Sequence, residues 1–202
     1  ETGLRSDYII DYGLAILPRV SLLYKVTPSF STRLGGGFGY KTPTIFTEES
    51  EKIQYQNVLP ISSENNKLER SYGANWDFNY RTGGEAEIGF SINHLFFYTY
   101  LDDPLVLSPL DNGTFEFVNM SCFTDSKGTE SNIKVEYGDF KLFVGYTYTD
   151  TKIHNAGTIV QNPLTAKHRV NIVLLYEVEE KWKLGLEAYY FSRQRLSDDT
   201  YG

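Results

Sequence analysis

In the stretch ERSYGANWDFNY, Tyr72, Ala74, Trp76, Phe78 and Tyr80 alternate with Ser71, Gly73, Asn75, Asp77 and Asn79. A strict period of two puts apolar groups on one face and polar groups on the other, which specifies a pleated strand. The same period recurs along the chain. Phe30, Thr32, Leu34, Gly36, Phe38 and Tyr40 oppose Ser31, Arg33, Gly35, Gly37, Gly39 and Lys41. Ile88, Phe90, Ile92, Phe96, Tyr98 and Tyr100 share a face, as do Ile133, Val135 and Tyr137 against Asn132, Lys134 and Glu136. Phe140, Leu142, Val144, Tyr146 and Tyr148 make a further set; Val170, Ile172, Leu174 and Tyr176 another; Trp182, Leu184, Leu186, Ala188 and Tyr190 the last. No helical period of any length competes. The pattern predicts an all-β, antiparallel fold of about eight strands, several of them about 12 residues or longer, where ordinary globular strands run to about 5–6. Strands of that length suit a membrane barrel, whose tilted strands need about 9–11 residues to cross.

The connections alternate. Residues 26–29, 81–85, 137–140 and 178–182 are short turns, whereas 42–67, 102–113 and 150–167 are long and polar. Short turns at one end and long loops at the other are the arrangement of an outer-membrane barrel. The faces agree with this. Ser, Asn, Asp, Lys, Glu, Thr and Gly on the polar side suit a wet lumen. Aromatic residues gather near strand ends, at Trp76, Phe78 and Tyr80, at Tyr98 and Tyr100, at Tyr146 and Tyr148, and at Tyr189 and Tyr190. Such rings favour the headgroup level of a bilayer and form girdles there.

Composition narrows the class. The chain has 202 residues and a net charge of −7, with 16 Tyr, 13 Phe and 17 Gly. That is length for one sizeable domain, and the Tyr, Phe and Thr content suits β-structure. Its 19 basic residues are scattered singly, so there is no nucleic-acid footprint. The single cysteine, Cys122, forms no intrachain disulfide. His94, His154 and His168 have no metal-ligand spacing. The ends, ETGLRSDY and SDDTYG, read as cut from a longer chain.

One segment invites a different chemistry. RLGGGFGYKTPTIFTEE, residues 33–49, is rich in glycine and continues into Lys-Thr. A phosphate-binding loop needs a glycine directly before that lysine, and a dinucleotide fingerprint needs one to close its pattern. Tyr40 occupies both places, and Pro43 prevents the helix that either motif requires. The segment is therefore a strand. Its glycines on the polar face either leave room for a close approach or merely permit a bend.

Other candidate chemistry is bland. Asp102–Asp103 and Asp198–Asp199 are adjacent carboxylates expected in solvated turns. Asn112-Gly113-Thr114 and Asn119-Met120-Ser121 match a glycosylation triplet that is common by chance. Glu48, Glu49, Glu51 and Lys52 read as a solvated loop run, with part of a substrate vestibule as the functional alternative. The chain is expected to be no enzyme, with no catalytic, cofactor-binding or metal-ligating residue.

Several stretches taken in order resemble one family. GGGFGYKTPTIFTEE is similar to the Gly-[Phe/Tyr]-[Lys/Arg]-x-Pro-[Ser/Thr] segment in the barrels of TonB-dependent outer-membrane receptors. LERSYGANWDFNYRT resembles their Glu-x-Ser-x-Gly strand, and FFYTYLDDPLVL the strand that follows. KGTESNIKVEYGDFKLFVGYTYTD resembles their Gly-[Val/Thr/Ile]-Glu strand and its return, with Gly128, Thr129 and Glu130 at the signature. HRVNIVLLYEVEEKWKLGLEAYYFSRQ is similar to strands toward the C-terminal end. The flavour is that of Bacteroidetes-type receptors. This resemblance implies a barrel of about 22 strands around an N-terminal plug, of which residues 1–202 would be a section from the second half. It implies active import across the bacterial outer membrane, with a ferric siderophore or related metal chelate as the expected cargo and cobalamin, oligosaccharide or free metal as the alternatives. The implied partners are that small ligand, outer-membrane lipid and a TonB-type energy-coupling protein acting through the plug. Ligand contacts would then fall in the three long loops, or on lumen positions such as Arg33 and Lys41.

Two other architectures fit parts of the pattern. A soluble β-sandwich that binds carbohydrate would use the aromatic faces as stacking platforms. A small stand-alone outer-membrane barrel would close by pairing residues 12–25 with 182–194.

Overall fold

The computed structural model describes residues 1–83, 88–155, 157–178 and 181–196. Its strands are β1 (Thr2–Ile9), β2 (Gly13–Lys25), β3 (Phe30–Lys41), β4 (Glu69–Thr82), β5 (Gly89–Asp102), β6 (Leu105–Pro109), β7 (Phe115–Asn119), β8 (Phe123–Tyr137), β9 (Phe140–Asn155), β10 (Thr158–Gln161), β11 (His168–Val178) and β12 (Trp182–Phe191). One short helix, α1, spans Glu48–Lys52. A 10-stranded sheet runs in the order β1-β2-β3-β4-β5-β8-β9-β11-β12, with β10 pairing beside β9; β6 and β7 make a separate hairpin. Every strand pair is antiparallel. No helix among the described residues is long and apolar enough to cross a membrane.

Register carries the period-two pattern across the sheet. Leu34 lies opposite Trp76, which lies opposite Phe96; Ile92 lies opposite Ile133, then Val144 and Ile172. Apolar residues therefore meet apolar residues on one continuous face, because a slip of one residue would invert every strand. Turn chemistry fixes that register between β8 and β9, where Gly138 adopts φ +53°, a left-handed value that glycine reaches without steric cost.

Both architectural alternatives fail on pairing and burial. Residues 12–25 pair with β1 and β3, and β12 pairs with β11, so the sheet does not close on itself among the described residues. No second layer covers the sheet either. Among the described residues the buried hydrophobic side chains are Phe117, Cys122 and Ala166, all in the loop regions. A sandwich would bury one face of every strand.

Four details differ from the sequence expectation. β1 is an additional strand, whose apolar positions Leu4 and Tyr8 are separated by Ser6, too sparse a pattern to stand out. The loop after β5 is longer than residues 102–113 and holds the β6–β7 hairpin. β9 continues to Asn155 and β10 folds back on it, which shortens the third loop. Glu48–Lys52 is helical, with Thr47 Oγ1 capping it by accepting the Ser50 N–H at 3.3 Å. The turns at 81–85 and 178–182 fall partly, and Asp198–Asp199 wholly, outside the described residues.

Candidate functional site

The sheet presents two faces and a capped end. On the apolar face, each strand from β2 onward in the main path places a ring within two residues of its short-turn end: Tyr24, Phe30, Tyr80, Phe90, Tyr137, Phe140, Tyr176 and Trp182. Register puts them all on the same side. Neighbours touch, as in Phe140–Tyr176 at 4.6 Å and Tyr176–Trp182 at 5.0 Å between centroids. A second ring follows eight residues along the same face of five strands: Phe38, Tyr72, Tyr98, Tyr148 and Tyr190. Eight residues at about 3.3 Å each, on a strand tilted by about 40°, separate the two belts by roughly 20 Å, close to the apolar band of an outer-membrane barrel.

Between the belts, the polar atoms that do face outward are satisfied locally. The Trp76 indole N–H donates to Thr32 Oγ1 at 2.8 Å, and that hydroxyl donates to the Asp77 carbonyl at 2.9 Å. His94 shares one hydrogen bond with Ser131 at 2.7 Å and another with Thr129 at 3.1 Å. Lipid offers these groups no partner, so internal pairing removes the cost of exposing them there. Charged residues of the same face, Arg70, Asp102, Asp125, Lys127, Asp150 and Lys152, lie on the loop-side ends of β4, β5, β8 and β9. Strands of 15 and 16 residues reach past the second belt, with Lys127 level with Tyr98, which puts these charges at or beyond the edge of the apolar band.

The other face is polar and concave. A pocket of about 730 Å³ lies against its short-turn end, walled by residues from β3 across to β11, Ser31, Asn79, Asn93, Asn132 and Asn171 among them. Asn93 Nδ2 donates to Asn79 Oδ1, and Asn79 Nδ2 to Asp77 Oδ1, both at 2.7 Å. The glycines of this face are filled by such side chains. A Cβ at Gly35 would stand 2.7 Å from Asn75 Oδ1, and one at Gly145 would collide with the Asn171 amide. Missing side chains on one strand thus let amides of the next lie flat, which makes a smooth polar wall. A second pocket of about 640 Å³ is bordered by Arg33, Arg19, Gly35, Gly37 and Asn75. Arg33 is therefore available to whatever fills the concave side. Lys41 is instead committed to Glu69, at 3.2 Å.

At the loop end, residues 42–68 and the β6–β7 hairpin are clamped together. The buried Asn66 donates from Nδ2 to the Phe117 carbonyl, while its Oδ1 accepts the Ser62 N–H at 3.2 Å. Asn119 Oδ1 accepts the Lys67 N–H at 2.7 Å, and its Nδ2 donates to the carbonyls of Lys67 and Asp103. The buried Glu69 accepts the Leu105 N–H at 2.9 Å. Glu49 accepts the Leu107 N–H at 3.0 Å, so the acidic run does more than dissolve in water. The two Asn triplets likewise have structural work: Asn119 clamps the loops, and Asn112 Oδ1 accepts the Thr114 N–H at the hairpin tip. Cys122 is buried beside this clamp, and burial, helped by the charge of Asp103, pushes its thiol pKa up.

Each histidine serves a separate local contact. His154 pairs with Asp125, and His168 shares a hydrogen bond with Tyr146 at 2.9 Å. The strand pattern foresaw the two faces. It could not foresee Asn66, Asn119 or Glu69, whose partners lie in another loop or strand.

Comparison with known proteins agrees with this geometry. The family model for the TonB dependent receptor-like β-barrel matches residues 1–202. Among solved structures, the siderophore receptor PirA from Pseudomonas aeruginosa superposes with a TM-score of 0.71 at 17% identity, covering 95% of this chain and 33% of that one. The FrpB iron transporter from Neisseria meningitidis (F3-3 variant) gives 0.67 at 15% identity, over 92% of this chain and 28% of that one. A double mutant of the Serratia marcescens hemophore receptor HasR, in complex with its hemophore HasA and heme, gives 0.66 at 14% identity, over 88% and 32% respectively. The chain thus spans about a third of the length of these structures. No curated protein matches the sequence.

Proposed function

The chain belongs to the β-barrel family of TonB-dependent receptors, and from that premise we propose that it is a wall segment of an active transporter in the bacterial outer membrane. The apolar face contacts lipid, the polar concave face lines the lumen, the short turns lie on the periplasmic side and the clamped loops face outward. The remaining strands and a plug are supplied by the rest of the polypeptide. The cargo is a ferric siderophore or a related metal chelate, captured at the loop end and released inward when a TonB-type partner acts on the plug. The loops at 42–68 and 103–122 and the lumen residue Arg33 are the parts of this segment placed to meet cargo.

The observation that carries this reading is the pair of aromatic belts eight residues apart, on the same face of five strands. A lipid-facing barrel needs such a band, and a water-facing sheet has no use for one. Iron-55 uptake by the iron-starved native host, with and without the full-length gene, tests the transport claim. We expect uptake of at least one supplied chelate to depend on the gene and to stop when a protonophore collapses the inner-membrane gradient. Uptake unaffected by gene loss for siderophore, citrate and heme iron alike would refute it.

A further inference from the structure

The main sheet is split near its loop end. β2 and β3 pair from Lys25↔Ser31 up to Arg19↔Gly37 and no further, whereas β3 stays paired with β4 to Lys41↔Glu69 and β2 with β1 to Gly13↔Ile9. Pro18 is the cause. The Ser21 N–H bonds to the Glu1 carbonyl at 2.8 Å, so odd-numbered residues of β2 direct their main-chain groups toward β1 and even-numbered ones toward β3. Residue 18 is therefore the donor that the Phe38 carbonyl needs, and proline has no N–H to give. The strands still touch at the foot of the split, where a Cβ on Gly37 would stand 3.2 Å from the Pro18 carbonyl oxygen. Beyond it, Ile16 on one side and Phe38 and Tyr40 on the other aim main-chain groups into the gap. A side chain holds the two sides together instead: the Tyr40 hydroxyl donates to Asp7 Oδ2 at 3.0 Å, and Arg5 pairs with the same carboxylate at 2.7 Å. Phe38 belongs to the second aromatic belt, so the split lies on the loop side of the apolar band, where water can reach groups that lipid would leave unpaired. Two cavities, of about 540 and 420 Å³, continue it toward the loops. Asp11 and Tyr12 of the β1–β2 turn wall both; Thr44 and Ile45, directly after β3, face them across the larger one.

We propose that this split is a slot for an extended segment of a partner protein at the cell surface, which adds as a strand to the β3 edge at residues 38–41. Free main-chain donors and acceptors that alternate along an edge, at about 3.3 Å per residue, match another extended main chain. Strand addition of this kind takes its affinity from main-chain hydrogen bonds and its selectivity from the side chains around them. Here the surroundings favour a basic residue: Asp11, Glu64, Asp102 and Asp103 outnumber Lys67 and Arg70 on the cavity walls. The occupant is a partner protein rather than cargo because the slot lies within the wall, between neighbouring strands, and not on the polar concave face that lines the transport path. Which end faces outward is taken from the transporter reading; the slot itself stands without it.

Hydrogen exchange of the full-length receptor in detergent, read by mass spectrometry over the fragment covering residues 37–41, tests this. The probe is the synthetic peptide Lys-Thr-Val-Thr-Val-Thr. A maleimide and a Gly-Ser linker attach it to Ile10→Cys in a Cys122→Ser background, at a residue 78% exposed beside the β1–β2 turn. The tether raises its effective concentration to roughly the millimolar range. Exchange is expected to be fast without the peptide and about tenfold or more slower with it. The same peptide N-methylated at every residue keeps its side chains, loses its donors and should leave exchange unchanged. Pro18→Val restores the missing donor and closes β2 on β3, so the fragment should be protected without peptide and gain nothing from it. Slow exchange in the receptor without peptide, no slowing by the peptide, or equal slowing by its N-methylated form would each overturn the slot. Gene-dependent uptake of the free, fluorescently labelled peptide, abolished by Pro18→Val, would assign the slot to cargo and overturn the partner. Iron-55 uptake is read separately. Slowed exchange with no gene-dependent uptake of any chelate keeps the slot and sinks the transporter; gene-dependent uptake without slowed exchange does the reverse.

Discussion

At the scale of single residues, Gly128 separates necessity from convenience among the glycines. A Cβ there would collide with the backbone carbonyl of Tyr148 and stand 2.7 Å from the Phe97 ring. Backbone in the middle of a paired strand cannot yield, so Gly128→Ala is expected to cost about 1–3 kcal/mol by overpacking. Gly35→Ala meets a side-chain amide that can rotate, and should stay within about 0.5 kcal/mol. Thermal unfolding of the full-length receptor in detergent measures both; equal losses would contradict this account. The resemblance in the sequence singled out Gly128, whereas the fate of Gly35 was legible only once β3 and β4 were in register. Cys122 supplies a second residue-scale expectation. Its raised thiol pKa and burial reduce both thiolate fraction and access. Maleimide at pH 7.5 should label it slowly in the native receptor and quickly after unfolding. Equal rates would show that the loop clamp does not enclose it.

At the scale of elements, the loops hold the structure that the alternation rule could not see. Long strands announce themselves by period two, which is local. The β6–β7 hairpin is five residues a side, and α1 only five residues in all. Neither is long enough for its period to stand out from a polar loop. What holds them is a set of side-chain clamps across some 50 residues of sequence, from Asn66 to Phe117 and from Lys67 to Asn119. Asn66 is buried and satisfies two backbone groups, and the half-buried Asn119 satisfies three; removing such an amide costs about 1–3 kcal/mol. We therefore expect Asn66→Ala or Asn119→Ala to loosen both loops together while sparing the strands. Hydrogen exchange should rise in residues 42–68 and 103–122 and stay unchanged in β3 and β4. Exchange confined to the mutated loop would show that the two are independent. The belts, by contrast, were partly legible: clustering of rings near strand ends was visible in the sequence, but their alignment into two rows needs the stagger between strands.

At the scale of the whole molecule, residues 1–202 make a wall without an interior. Their accessible surface is 14053 Å² for a mass of 23.1 kDa. A compact monomer of that mass would expose about 9,700 Å². The excess is the open sheet, with Leu4, Leu22, Phe38, Trp76 and Leu186 among the exposed apolar side chains. The outer edges of β1 and β12 are also unpaired among the described residues. Free edges and a continuous apolar face drive association in water. Residues 1–202 produced alone should aggregate unless detergent is present, as light scattering would show; a soluble monomer without detergent would count against a lipid-facing surface. The fold class was readable from the strand pattern because both faces obey it. Closure was not, since pairing of the first and last strands leaves no local mark.

The central claim is that even-numbered residues of β4 face lipid and odd-numbered ones face a wet lumen. Spin labels placed singly at positions 71 to 80, in the full-length receptor with Cys122→Ser and reconstituted into bilayers, report this directly. Labels at 72, 74, 76, 78 and 80 should be relaxed mainly by oxygen, which concentrates in lipid. Those at 71, 73, 75, 77 and 79 should respond more to a water-soluble nickel chelate. Alternation of the opposite phase, or none at all, would contradict the account.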